Sequence, residues 1–370
     1  GLALLTTYIG ILQLLRFRRV RGLKFMDVKT DPSAVYRETA MLEFPFTVSK
    51  ALEFAQFRAF GVPSISKLMH KTGEFCKRSG KRYDDTDLLF REFWENDTET
   101  NRSKISIARI NAIHGLYSKQ ISNSDMLYTL CLFITEPAAW IDRYEWRRCT
   151  DIEKAGLLGH FALLGERMGI KGSRDWKTWD DALAFQLAYE TEHFQYHESN
   201  NALAVSTLDL FISNVPTAFQ WAARWAVYAL MDPFLLKTMG LPQVPNLLRW
   251  AVTGGLLLRA MIVRFLLPPR PEFLVSRRTP FADDANITPQ CCMKPRYEYY
   301  TDPKLSCMTY KDGYRIGDLG TSACPAGRLM YDVPTFTGHG GGGRGGVAAG
   351  AADEAPIAST GAAAVGEKYE

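Results

Sequence analysis

Ile107-Ala108-Arg109-Ile110-Asn111-Ala112-Ile113-His114-Gly115-Leu116-Tyr117 decides how this chain is read. Ile107, Ile110, His114 and Tyr117 recur at i, i+3, i+7 and i+10, which is one face of a helix. The spacing predicts a helix over about 102–119 and sets a histidine into its apolar stripe. A neutral imidazole in such a place can offer a nitrogen to a metal inside a dry pocket. Taken alone, the pattern reads first as a satisfied core histidine. The sequence on either side bears on the choice.

Outward from the stripe, the chain reads as helices. Asp31-Pro32 opens one, with Asp as N-cap and Pro at the first helical position. Others are expected over about 47–60, 63–76 and 123–146, the last with a kink or break at Pro137. Thr150-Asp151-Ile152-Glu153 is a capping box, and its helix closes near Gly169. Thr178 caps a helix over about 179–198. Pro216 and Pro245 stand near the starts of two long apolar helices, the second ending at Pro268-Pro269. No run alternates as a strand would, so the class is all-α, with one large helical domain over 30–275.

Composition excludes several classes. The 370 residues are 46% hydrophobic, enough for a large core, and the net charge is +4. No helix face carries a dense Lys/Arg stripe, so no nucleic-acid partner is expected. None of the seven cysteines forms a CxxC pair, which argues against a zinc ribbon and for a reduced compartment. No GxSxG, Walker or GxGxxG element appears in a credible context.

The first fifteen residues, Gly1 to Leu15, carry no charged side chain and run into Arg16-Phe17-Arg18-Arg19-Val20-Arg21. The run is about five residues short of a full span. Residues 1–16 are therefore read as part of a longer transmembrane anchor, with the basic cluster holding the downstream chain in the cytosol. The segment 207–267 is strongly apolar but interrupted by Arg224, Asp232, Lys237, Arg249, Arg259 and Arg264. It is either core or a face lying on the bilayer. Beyond 275 the chain turns loop-rich over 276–337. Over 338–370 it is Gly/Ala-rich, a composition that cannot bury enough apolar area to order itself.

Several blocks, in order, carry a resemblance. They are Gly61-Val62-Pro63-Ser64-Ile65-Ser66-Lys67-Leu68 leading to Lys71-Thr72-Gly73, then Tyr83-Asp84-Asp85-Thr86, then the stripe. After it come Ser124-Asp125-Met126-Leu127-Tyr128-Thr129-Leu130 and the run from Glu136-Pro137 to Arg148. From about 35 to 275 the chain resembles the fungal endoplasmic-reticulum-bound oxygenases, which share a catalytic domain with the bacterial rubber oxygenases. The resemblance implies a membrane-anchored enzyme, facing the cytosol, that splits a C=C bond of a lipophilic isoprenoid-type substrate with O₂. It implies haem b (heme b) as cofactor. The iron-binding histidine of an Arg-x-x-x-x-His arrangement corresponds to His114, and Arg109 becomes a candidate for a haem propionate. On the distal side a Lys-Thr pair corresponds to Lys71 and Thr72. The family's arginine three residues before that lysine is replaced here by Leu68. A glutamate about twenty residues upstream of the pair corresponds to Glu53, a candidate base set among the aromatics of 51–57.

A second constellation competes. Glu190, His193 and His197 have the spacing to line one helix face, as for zinc or non-haem iron. A hydrophilic helix end has the same pattern, and a non-catalytic helical membrane protein is a further alternative.

Overall fold

A computed structural model of the chain describes residues 2–213, 215–276, 279 and 316–321. The expected Gly/Ala-rich tail and most of the 276–337 extension lie outside the described residues. Among the described residues every regular element is helical.

The scaffold is built around α8 (Asn123–Tyr144), which packs against α3 (Pro45–Phe60), α9 (Asp151–Arg167) and α10 (Trp179–His193). Ser122 caps α8, its side chain accepting from the Asp125 amide. The expected break at Pro137 does not occur: α8 runs through it. Proline removes one backbone hydrogen bond, and the buried Thr135, Ala138, Trp140 and Ile141 around it supply the packing that holds the helix together. The capping box at Thr150 forms as expected, with the Glu153 carboxylate accepting from the Thr150 amide at 2.8 Å.

α2 (Pro32–Arg37) is capped by Asp31, which accepts from the Ala34 amide at 2.8 Å. The chain continues as a wider turn over Glu38–Glu43, where the Phe44 amide donates to the carbonyl of Thr39, five residues back. α2 lies close along α9 because Gly156 leaves room: a Cβ there would stand 2.6 Å from Val35 Cγ1. The region 63–76 divides into α4 (Pro63–Thr72) and the single turn α5 (Glu74–Lys77). α6 (Ser79–Trp94) and α7 (Asn101–Gly115) form a pair. It is locked by the buried Arg102–Glu92 ion pair and by the Ser106 hydroxyl donating to the Leu89 carbonyl at 2.5 Å. α7 stops at Gly115, short of the expected 119, so Tyr117 sits in the turn beyond it.

The C-terminal part departs from expectation. α11 (Glu198–Ile212) is followed by a short α12 (Gln220–Leu230) and α13 (Pro233–Thr238) instead of one long helix. The chain turns at Met231, and Asp232 caps α13 by accepting from the Leu235 amide at 2.8 Å. α14 (Asn246–Leu266) is the helix, among the described residues, that is long and apolar enough to cross a membrane. The sequence placed that feature at the N-terminus. There, α1 (Leu2–Leu23) runs unbroken through the basic cluster and packs on α14. Arg16 is buried at that contact, donating to the carbonyls of Val263 and Leu267. Both helices keep an apolar outer face, with Leu4, Leu14, Leu247, Trp250 and Leu258 exposed.

Candidate active site

Helices α3, α4, α6, α7, α8 and α9 enclose a cavity of about 230 Å³. Its walls are mainly apolar, with Ala59, Met69, Phe90, Ile110, Leu130 and Phe133 among them. The threonines of these helices that line it turn their hydroxyls back to their own backbone. Thr72 donates to the Met69 carbonyl at 2.7 Å, Thr86 to Arg82 at 2.7 Å and Thr129 to Asp125 at 2.8 Å. Asp125 is occupied by the hydroxyls of Ser64 at 2.8 Å and Tyr189 at 2.9 Å.

His114 and Arg82 stand apart from this pattern. His114 lines the cavity from the last turn of α7, and its Nδ1 is sealed from solvent with no hydrogen-bond partner among the described residues. Burial, helped by the positive charge of Arg82, pushes the imidazole pKa down to about 4. The ring is therefore neutral through the physiological range, the state that a metal requires. Arg82, from α6, lines the same cavity. Its guanidinium lies over the Phe75 ring at 5.1 Å. Burial lowers its pKa, opposed by Asp85 and Glu74. An unpaired buried polar group in a native fold calls for an explanation, and here the unpaired imidazole nitrogen shares an apolar cavity with a half-buried cation.

The cavity is roofed by residues 316–321. The Arg109 guanidinium, buried on the neighbouring face of α7, donates to the Leu319 carbonyl at 2.7 Å, and Lys81 Nζ donates to Gly320 O at 3.2 Å. Gly320 and Thr321 complete the lining. Gly320 has φ +92° and lies so close to α7 that a Cβ would stand 2.5 Å from Ile113 Cδ1. Glycine satisfies both demands.

The structure separates the residues singled out in the sequence. His114 and Thr72 face the cavity, whereas Arg109 does not line it and instead holds the roof. Lys71 is exposed at the end of α4. Glu53 lies on the wall of an adjoining cavity of about 370 Å³. There it pairs with Lys50 at 2.7 Å and accepts from the Tyr83 hydroxyl at 3.2 Å. The competing constellation does not assemble. α10 ends at His193, and His197 becomes the N-cap of α11, its ring Nδ1 2.8 Å from Ser199 Oγ. Glu190 is buried against Arg58 and also accepts from Tyr128 at 3.0 Å and Gln186 at 2.9 Å. Among the described residues no three His, Cys, Asp or Glu side chains converge as a metal set.

Sequence reasoning missed Arg82 and Thr86, although Tyr83-Asp84-Asp85-Thr86 belongs to the blocks that carry the resemblance. Their i, i+4 spacing puts both on one face of α6. That signal was present, but nothing in the sequence showed that this face meets His114. His160 is buried with Nδ1 2.9 Å from Ser33 Oγ and its ring stacked on Tyr36; its Nε2 also lacks a partner among the described residues, but the ring is enclosed by core side chains and lines no part of the cavity.

Residues 100–264 match the family described as ER-bound oxygenase mpaB/B'/Rubber oxygenase, catalytic domain. The chain is 34% identical over 264 residues to the ER-bound oxygenase mpaB of Penicillium roqueforti, covering 65% of this chain and 89% of that protein. It is 32% identical over 293 residues to the ER-bound oxygenase mpaB' of Penicillium brevicompactum, covering 72% and 69%. A solved structure of latex clearing protein in the closed state overlays with a TM-score of 0.45 at 15% identity, covering 68% of this chain and 72% of the other. The chain belongs to the ER-bound oxygenase mpaB/rubber oxygenase family and is an oxidoreductase.

Proposed function

We propose that this protein is a haem-dependent oxygenase that splits a C=C bond of a lipophilic, isoprenoid-type substrate with O₂. The observation that carries the reading is His114, a neutral imidazole with an unpartnered nitrogen in an apolar cavity. The residues present fit haem b: His114 would hold the iron, and the guanidinium of Arg82 suits a propionate. When bound, haem supplies the activation of O₂. One O₂ per alkene gives two carbonyl ends, so the reaction balances with no further reductant.

The chain's own residues do the rest. Apolar walls on α3, α4 and α8 exclude water and accept a hydrocarbon chain. Thr72 and Thr86 keep their hydroxyls on their own helices, so the lining stays apolar. Arg109 holds the roof in place. Arg82 and Thr86, four residues apart, also fit the spacing of the family's Arg-x-x-Lys-Thr arrangement, with Asp85 at the lysine position. That assignment takes over from Lys71, which is exposed. Glu53, bonded to Tyr83, remains the base that moves a proton from the adjoining cavity.

Membrane association is part of the proposal. The outer faces of α1 and α14 form one apolar surface, with Trp250 73% exposed on α14 and Trp221 of α12 69% exposed. Arg249 of α14 donates to the Ala229 carbonyl at 3.2 Å, and Arg259 pairs with Glu145 at 2.9 Å. With these arginines tied to the domain, α14 lies along the bilayer, in the manner of an amphipathic helix.

The test is reconstitution of the full chain with hemin in detergent. A Soret band, with O₂-dependent release of carbonyl products from squalene, is expected. No band and no carbonyl products, from protein shown to be folded, would sink the reading.

A further inference from the structure

The adjoining cavity of about 370 Å³ lies between α2, the wide turn after it, α3 and α6. Gln56, Thr86, Phe90 and Phe133 border both this chamber and the His114 cavity. Phe90 meets Phe133 edge to face at 5.3 Å and stacks on Trp94 at 5.4 Å, so the partition is aromatic. The chamber's rim reaches the apolar surface of α1 and α14. Phe46 on the rim lies under Arg259 of α14 at 4.4 Å, and Arg270 donates to the Leu274 carbonyl at 2.9 Å beside the exposed Phe273. Arg19 of α1 meets the same rim by donating to the Arg270 carbonyl. The chamber therefore adjoins the exposed apolar surface on one side and, across the Phe90–Phe133 edge, the His114 cavity on the other.

The chamber differs from the His114 cavity in its polarity. Six charged side chains line it: Lys50, Arg91 and Arg270 against Glu53, Asp87 and Glu95. The three positive and three negative charges cancel. They are also spent on one another or on the backbone: Lys50 on Glu53 at 2.7 Å, Arg91 on Asp87 at 2.8 Å and Glu95 at 2.7 Å, Arg270 on Leu274. Arg270 apart, which meets only a backbone carbonyl at the exposed rim, a ligand ion would find the charges of the chamber already paired and would lose its hydration. A neutral group that donates or accepts hydrogen bonds meets carboxylate and hydroxyl oxygens and the Gln56 amide without that penalty.

We infer that this chamber is the head-group half of the substrate site. It takes the uncharged, hydrogen-bonding end of an amphiphile, whose hydrocarbon tail passes the Phe90–Phe133 edge into the His114 cavity. The inference rests on the oxygenase reading above for its tail half and extends it to the other end of the substrate.

Three probes of equal length test it on the full chain in detergent: farnesol, farnesoic acid and farnesylamine, titrated at pH 7. Farnesol is expected to bind at least tenfold more tightly than either charged analogue and to change the fluorescence of Trp94, a change lost in Trp94→Phe. Ser49→Trp, which fills the chamber from a position outside the His114 cavity, is expected to weaken farnesol at least tenfold while hemin uptake stays at the wild-type level. Equal affinity for the three probes in wild-type protein overturns the inference, and that measurement needs no variant to fold. Unchanged farnesol affinity in a folded Ser49→Trp protein overturns it as well. Neutral-selective binding in protein that takes up no hemin supports the chamber and overturns only the cofactor reading.

Discussion

His114→Ala separates a ligand from a core histidine, and the structure sets the size of both effects. The imidazole pKa is 6.5 in an unfolded chain and about 4 in the folded one, because burial and Arg82 disfavour the charged ring. At ~1.4 kcal/mol per unit, keeping this ring neutral costs the apoprotein up to about 3 kcal/mol in acid. As pH falls through 6.5 the unfolded ring takes up a proton and the folded ring does not, so stability is full above 6.5 and declines towards about 4. His114→Ala removes that decline. Near pH 7.5 the substitution should cost only ~1–2 kcal/mol, since Nδ1 gives up no hydrogen bond. Denaturant titrations of apoprotein between pH 7.5 and 4.5 should therefore show a wild-type curve steeper than that of the variant. Hemin titration of the same samples should show the Soret band lost or shifted in the variant. The reasoning is refuted by a variant that keeps wild-type hemin affinity and spectrum, or that loses more than ~3 kcal/mol at pH 7.5, the cost of a hydrogen-bonded core group.

Three further outcomes rest on other residues. Arg58 holds Glu190 and Asp232 and lies 3.3 Å from Glu136, so Arg58→Met leaves buried carboxylates uncompensated. It should lose ~3–5 kcal/mol at pH 7 by denaturant titration, with the deficit shrinking in acid as Glu136, whose pKa burial raises, takes up a proton; a loss under ~1 kcal/mol, the scale of an exposed ion pair, would contradict this. Glu53→Gln should retain hemin but turn over ~10²–10⁴-fold more slowly, whereas a wild-type rate would reduce Glu53 to a partner of Lys50. The pair Trp221→Glu and Trp250→Glu should lower flotation with phospholipid vesicles ~tenfold or more, with the helical circular dichroism unchanged; undiminished flotation would place the bilayer contact elsewhere.

Much of this protein is legible along the chain. Helical periodicity, the Asp31 and Thr150 caps, and the position of His114 on an apolar stripe are local properties, carried by residues within a few turns of one another. The blocks from Gly61 to Arg148 were likewise enough to point to the family. Beyond reach of the sequence was how separate helices face one another. Glu190, His193 and His197 have ligand spacing, but α10 ends at His193 and Arg58, 132 residues before Glu190, takes the carboxylate. Arg109 sits five residues from His114, yet about 100° of rotation per residue turns it to a face that meets Leu319 and not the cavity. Arg82 meets His114 only because α6 and α7 pair through Arg102 and Glu92. Sequence determines which face of each helix is apolar. Which faces close on a common cavity, and which polar groups are left there without a partner, is decided by long-range packing that no local spacing encodes.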